Sequence, residues 1–97
     1  GESARSVAEH AARTSYGRLL AILVSRTRDI ARAEDALAGA FAAALSVWPD
    51  RGVPASPEAW LLTTARNDLS NRSRHDRLRA GAAADLVRQY EERAARV

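Results

Sequence analysis

The sequence contains no cysteine, little proline and glycine, and few aromatic residues. Without cysteine, the chain can form no disulfides and can carry out no thiol chemistry. Its three prolines and five glycines are clustered, and so few turn-forming residues argue against an all-β fold. His10 and His75 are far apart in sequence, so we expect no dedicated metal site. We also find no triad spacing and no glycine-rich phosphate loop, and therefore expect neither catalysis nor a cofactor.

The sequence also lacks a long apolar segment. Its longest weakly polar run, residues 36–48, is too short and too rich in alanine to span a membrane. No signal peptide is recognisable at its N-terminus. These features predict a cytoplasmic protein that does not bind a membrane.

The abundant residue is alanine, the best intrinsic helix former, which occupies 22 of the 97 positions. A chain of this length forms one domain with a single modest core. We therefore predict an all-α fold, a compact bundle of three to four helices. Its helical domain should cover residues 1–81, with a loosely held C-terminal helix or linker over residues 82–97.

Hydrophobic periodicity predicts the individual helices. The first covers residues 4–28 and bends near Thr14 or Gly17, the second covers 30–48, and the third covers 57–80. Asp29 and Ser56 are the expected N-caps. Two prolines and a glycine predict a loop over residues 49–55, and Gly81 is expected to end the third helix.

Each predicted helix has an apolar face that should pack into the core. In the first helix it consists of Val7, Ala11, Tyr16, Leu19, Leu20, Leu23 and Val24. In the second it consists of Ile30, Ala33, Leu37, Phe41, Leu45 and Trp48. In the third it consists of Leu61, Leu62, Ala65 and Leu69.

The distribution of charge is more informative than its total. All 15 basic residues are arginine, and the net charge of +3 does not by itself indicate a nucleic-acid partner. However, five arginines and His75 lie within residues 66–79, together with only two acids, Asp68 and Asp76. The same predicted helix begins with an apolar turn that contains Trp60. One helix that packs into the core at its start and exposes basic side chains further along is suited to binding unpaired nucleic acid bases against a positively charged surface.

Three motifs lie between residues 16 and 79. The sequence AEDAL begins at Ala33 and is followed by an aromatic-ended helix, a proline-containing loop follows Trp48, and WLLTTARN begins at Trp60. This order resembles region 2 of bacterial sigma factors, specifically the extracytoplasmic-function group. The resemblance covers about two thirds of the chain, and WLLTTARN is its most specific part.

The resemblance implies recognition and melting of the minus-ten promoter element as part of the RNA polymerase holoenzyme. One surface would dock on the clamp helices of the polymerase β′ subunit, and another would capture bases of the non-template strand. An anti-sigma factor is a further partner consistent with the resemblance. The residues expected to bind DNA are Trp60, Thr64, Arg66, Asn67, Asn71, Arg72, Arg74 and Arg77. Those expected to bind polymerase are Asp35, Ala38, Gly39 and Ala42.

The sequence departs from this family at several positions, which leaves other interpretations open. Ala38 and Gly39 replace the usual Gln-Glu pair, and Asn71 replaces an aspartate. The alternatives are a sigma-like interaction domain that no longer initiates transcription and a small helical domain that binds duplex DNA. Trp60 could equally be a core anchor, and the arginines a solvated face. No resemblance to the family's second domain follows Ala82, so the chain is either a fragment or works without that domain.

Overall fold

The computed structural model describes residues 3–96, which form four α-helices and no strand. Helix α1 covers Ala4–Thr14, α2 covers Tyr16–Thr27, α3 covers Ile30–Arg51, and α4 covers Pro57–Ala95. The all-α prediction is confirmed. Residues 1, 2 and 97, which the predicted division into 1–81 and 82–97 includes, lie outside the described residues.

The helix boundaries follow from local capping chemistry. The bend predicted near Thr14 is a complete break at Ser15, a buried residue whose backbone leaves the helical conformation. Arg28 ends α2 in the left-handed conformation, with φ 57°, and its N–H donates to the Val24 carbonyl. The Asp29 side chain then accepts from the Arg32 backbone N–H at 3.1 Å, which confirms it as the N-cap of α3.

Helix α3 continues past Pro49 and ends at Arg51, one turn later than predicted. Proline removes only one backbone donor, so the last turn persists near a helix end. Gly52, with φ 92°, then ends the helix, and its N–H donates to the Trp48 carbonyl at 2.8 Å. The loop that joins α3 to α4 is therefore only residues 52–56.

The hydrophobic core lies where α3 contacts the other three helices. The predicted apolar faces of the first and third helices are confirmed as buried or half-buried. The prediction for α3 is wrong at Ile30 and Leu45, which are 59% and 49% exposed. Small side chains allow the neighbouring helices to approach α3 closely, so its buried face lies nearer to its alanines. That face consists of Ala33, Ala36, Leu37, Ala40, Ala44 and Trp48.

The molecule is extended, so the predicted compactness is wrong. Its radius of gyration is 19.3 Å, against about 13 Å for a compact chain of this length. The cause is α4, whose 39 residues form one helix about 58 Å long. Helix α4 runs through Gly81, where we predicted a stop, and every described residue from Ser70 onward is exposed. Gly81 lies among alanines, and no residue packs against it to bend the chain.

Candidate functional site

The start of α4 is fixed by the signals that its sequence carries. The Ser56 hydroxyl accepts from the Ala59 backbone N–H, Pro57 occupies the first turn, and Glu58 is an acid near the positive end of the helix dipole. Glu58 also forms an ion pair with Arg18 of α2. The first turns of α4 are therefore held in a defined position against the bundle.

Two tryptophans join the end of α3 to the start of α4. The rings of Trp48 and Trp60 meet edge to face, with their centroids 5.3 Å apart and their planes at 69°. Trp48 is buried, while Trp60 is half-buried and packs against the core. Trp60 is thus a core anchor that keeps part of its ring accessible beside the 52–56 loop.

A polar face lies along the outside of α4, immediately after this aromatic pair. Asn67, Asn71 and Arg74 recur at intervals of four and three residues and are all exposed. The Arg74 guanidinium donates to the Asn71 side-chain carbonyl at 2.7 Å. Thr64 is half-buried at the edge of the same face. We call Asn67, Asn71 and Arg74 the outer face of α4.

The remaining predicted DNA-binding arginines do not lie on this outer face. Arg66 and Arg77 line a cleft that α4 forms with the end of α2. Arg72 faces α3 instead, where it lies 4.0 Å from Asp35. Its Nε also lies 2.9 Å from Oδ2 of Asp68, one turn earlier on α4 itself, without the alignment of a hydrogen bond. The structure therefore distributes the predicted set over three sides of one helix.

The cleft beside α4 was missed by sequence reasoning. It has a volume of about 680 Å³ and is open to solvent. Its lining combines four arginines with hydroxyl groups, one leucine and one acid. The lining residues are Arg26, Thr27, Asp29, Arg32, Arg66, Leu69, Ser70, Ser73 and Arg77. Only the tertiary fold brings Arg26 and Thr27 to Arg66, about 40 residues later in the sequence, so no local pattern could have indicated the cleft.

The exposed side of α3 carries the predicted polymerase-binding residues, which are Asp35, Ala38, Gly39 and Ala42. All four are exposed and lie along one face of the helix. A Cβ atom added at Gly39 would meet nothing within 4 Å, so this face is open. Leu45, which we expected in the core, lies one turn beyond Ala42 on the same side. This face thus consists mostly of small, uncharged side chains, and a large apolar side chain lies at one end of it.

Ion pairs between α3 and α4 lie between the exposed face of α3 and the outer face of α4. Arg72 lies 4.0 Å from Asp35, and Arg32 donates to Asp76 at 2.8 Å. All four side chains are at least 45% exposed, so these pairs contribute little to stability. These ion pairs instead place Asp35 of the exposed α3 face next to the basic part of α4.

The described residues contain neither a metal-binding group nor a helix that could span a membrane. Within residues 3–96, no three His, Cys, Asp or Glu side chains form a group that could hold a metal ion. None of the described helices is both long and apolar enough to cross a membrane. The indole Nε1 of buried Trp48 has no hydrogen-bond partner among these residues.

Comparison with known proteins identifies one family. The sigma-70 region 2 model matches residues 12–79, which is more than two thirds of the chain. The matched segment contains both candidate surfaces and ends just before Gly81. No curated protein matches the chain significantly. No solved structure does so either.

Proposed function

Since the chain belongs to the sigma-70 region 2 family, we propose that it holds the opened non-template strand of a minus-ten promoter element while docked on RNA polymerase. Family membership by itself gives the broader role, promoter recognition together with RNA polymerase, and the family is not one of enzymes. The WLLTTARN motif supports assignment to the extracytoplasmic-function group. We expect the protein to act in the cytoplasm, where transcription takes place.

The observation that carries the proposal is the exposed amide of Asn67, which lies about two turns along α4 from the half-buried Trp60. A side-chain amide can donate to and accept from the edge of one base, which is the chemistry that reads sequence. A base taken out of the duplex requires such a partner together with an apolar wall. Trp60 supplies part of that wall, since it is fixed against Trp48 and remains partly accessible.

The outer face supports single-strand binding better than duplex binding. Arg74 is already positioned by Asn71, so its charge lies about two turns from Asn67 along the same side of α4. Bases at Asn67 and backbone phosphates at Arg74 fit a strand that follows the helix. A duplex-reading helix would instead insert its base-contacting residues into a major groove. The duplex-binding alternative therefore predicts tighter binding to double-stranded than to single-stranded DNA.

We assign polymerase docking to the exposed face of α3. Small residues at Ala38, Gly39 and Ala42 allow the backbone of a partner helix to approach closely, and Leu45 provides an apolar contact at the end of the face. Asp35 supplies the only charge among the four predicted docking residues. These features fit a helical partner such as the β′ clamp helices, with a basic side chain opposite Asp35. An anti-sigma factor that covered this face would block docking.

The second candidate function is a sigma-like interaction domain that no longer initiates transcription. The specific observation in its favour is the exposed small face, where Ala38 and Gly39 stand in place of the family's usual Gln-Glu pair. This candidate retains a helical partner for α3 but requires no base contact at Asn67. The two functions therefore differ in what a substitution at Asn67 should do.

The proposed function is tested by selecting DNA with the assembled complex. Core RNA polymerase is loaded with the chain and incubated with a pool of partly single-stranded fragments of random sequence. We expect a short sequence motif to be enriched in the retained DNA, and Asn67→Ala to remove the preference at one position of that motif. Without its bidentate base contact, discrimination there should fall by about 1–3 kcal/mol.

A matched control is available in Gln89, an exposed amide on the distal part of α4. Gln89→Ala should leave the selected motif unchanged. Enrichment of no motif, although the chain binds the polymerase, would favour the interaction-domain candidate. An identical motif with Asn67→Ala would show that another residue reads the base.

A further inference from the structure

The cleft between α2 and α4 has an unusual charge balance. Of its four arginines, Arg32 pairs with Asp29 and Asp76. Arg26, Arg66 and Arg77 form no ion pair with any acidic residue among residues 3–96. Three guanidinium groups without acidic partners therefore line one concave site, where their mutual repulsion favours the binding of an anion.

Arg66 gives this site an unsatisfied donor. Its Nε atom is buried and has no hydrogen-bond partner within the described residues. A buried cationic donor without an acceptor is costly, and an anion beside the accessible part of the same guanidinium group would offset part of that cost through its charge. Arg66 is half-buried as a whole and lines the cleft, so part of its side chain is accessible there.

The α4 wall of the cleft is a regular stripe. Arg66, Ser70, Ser73 and Arg77 are separated by four, three and four residues, which places them on one side of the helix. Two hydroxyl groups thus lie between two guanidinium groups. Arg26, near the C-terminus of α2, lines the opposite wall. Guanidinium and hydroxyl donors from two directions match the oxygen atoms of a tetrahedral phosphate.

We propose that this cleft binds a phosphate group, with Arg26 and Arg66 contacting it from opposite walls and Ser70 and Ser73 donating hydrogen bonds. In the proposed function, the phosphate is a phosphodiester of the DNA strand whose bases lie at the outer face. This second statement depends on the proposed function, whereas phosphate binding itself does not. Ser70 lies between Asn67 and Ser73 around α4, so one strand can reach both sites.

Phosphate binding is tested on the whole chain by NMR titration with inorganic phosphate, using sodium chloride at equal ionic strength as the reference. The observed signals are the Nε–H groups of Arg26, Arg66 and Arg77 and the backbone amides of Ser70 and Ser73. We expect these signals to shift saturably with phosphate only. Equal shifts with chloride, or similar shifts at all arginines, would overturn the site.

Arg26→Gln separates the cleft from general electrostatics, and Arg13→Gln is its matched control. Both remove one exposed arginine near the end of a helix, but Arg13 is on α1, away from the cleft. Arg26→Gln should weaken phosphate binding about three- to tenfold, whereas Arg13→Gln should not change it measurably. Equal weakening by the two substitutions would show that only net charge matters.

A short single-stranded oligonucleotide then identifies the source of the phosphate. Shifts at both the cleft and the Asn67 amide would support both proposals. In addition, Arg26→Gln should lower the salt dependence of oligonucleotide binding by about 0.7 for each phosphate that is no longer neutralised. Shifts at Asn67 alone would refute the strand contact and leave base capture intact. Shifts at the cleft alone would support a phosphate site and count against base capture.

Discussion

The two halves of α4, residues 57–76 and residues 77–95, share one continuous helix but differ in almost every other respect. The first half packs Leu61 and Ala65 into the core and is joined to α2 by the Arg18–Glu58 ion pair. Every described residue of the second half is exposed, and its large apolar residues Leu86 and Tyr90 are 66% and 75% exposed. Helical structure and tertiary stability are therefore separate properties of this chain, and the candidate sites lie where both are present.

The largest expected difference between the two halves is in the cost of removing a leucine side chain. Leu61→Ala should lower the free energy of unfolding by about 2–5 kcal/mol, because it leaves a cavity in a fully buried position. Leu86→Ala should change it by less than about 0.5 kcal/mol. Urea denaturation followed by circular dichroism measures both. Equal costs for the two substitutions would mean that the second half is packed in solution.

Substitutions of Gly52, in the loop before α4, and of Gly81, in its second half, should also change stability differently, but the larger of the two effects should be smaller than that of Leu61→Ala. Gly52 ends α3 with φ 92° and ψ 155°, a conformation that other residues avoid, so Gly52→Ala should cost about 1–3 kcal/mol. Gly81 is helical and nothing obstructs a Cβ there, so Gly81→Ala should strengthen the local helix by about 0.5–1 kcal/mol.

Two measurements distinguish these glycine effects. Thermal unfolding should detect the Gly52 substitution, and hydrogen exchange of the amides around residue 81 should detect the other. If Gly81→Ala destabilised the bundle or increased local exchange, α4 would have to bend at this position.

The smallest change in the free energy of unfolding is expected for the ion pair at the boundary between the two halves of α4. Asp76→Asn breaks the ion pair with Arg32 and should cost about 0.2–1 kcal/mol, as is usual for exposed pairs. Asp85→Asn removes a pair with Arg88 that lies wholly within the second half, and it should leave global stability unchanged. High salt should abolish the difference between the two variants. A difference that persisted in high salt would indicate packing at Asp76.

Local signals in the sequence were sufficient to predict much of the fold. Asp29 and Ser56 were identified as caps because a side-chain acceptor immediately before an apolar-periodic segment is a local chemical feature. The core faces of the first and third helices followed from the spacing of their large apolar residues. Gly81 was interpreted wrongly as a stop because a glycine can either end a helix or continue it. Only its surroundings decide between the two outcomes.

Packing between the helices, which local sequence patterns do not specify, determines the burial of Leu45 and the position of the cleft. Leu45 has the right spacing for a core residue, but the alanines of α3 define a buried face that excludes it. The cleft depends on Arg26 meeting Arg66 across two helices, which no local pattern specifies. For the candidate site, the sequence identified Asn67 and its neighbours as one polar segment. It could not show that Arg66 and Arg72 lie on different sides of α4, with Arg66 in the cleft and Arg72 beside α3.

Calorimetric titration of the whole chain with an isolated β′ clamp-helix fragment tests the central claim, a polymerase-docked sigma domain, most directly. We predict micromolar binding that Asp35→Arg abolishes and that Asp85→Arg, the same charge reversal on the second half of α4, leaves unchanged. Circular dichroism of each variant establishes that it is folded. A folded wild-type chain that does not bind the fragment, or binding that survives Asp35→Arg, would contradict docking through the exposed face of α3.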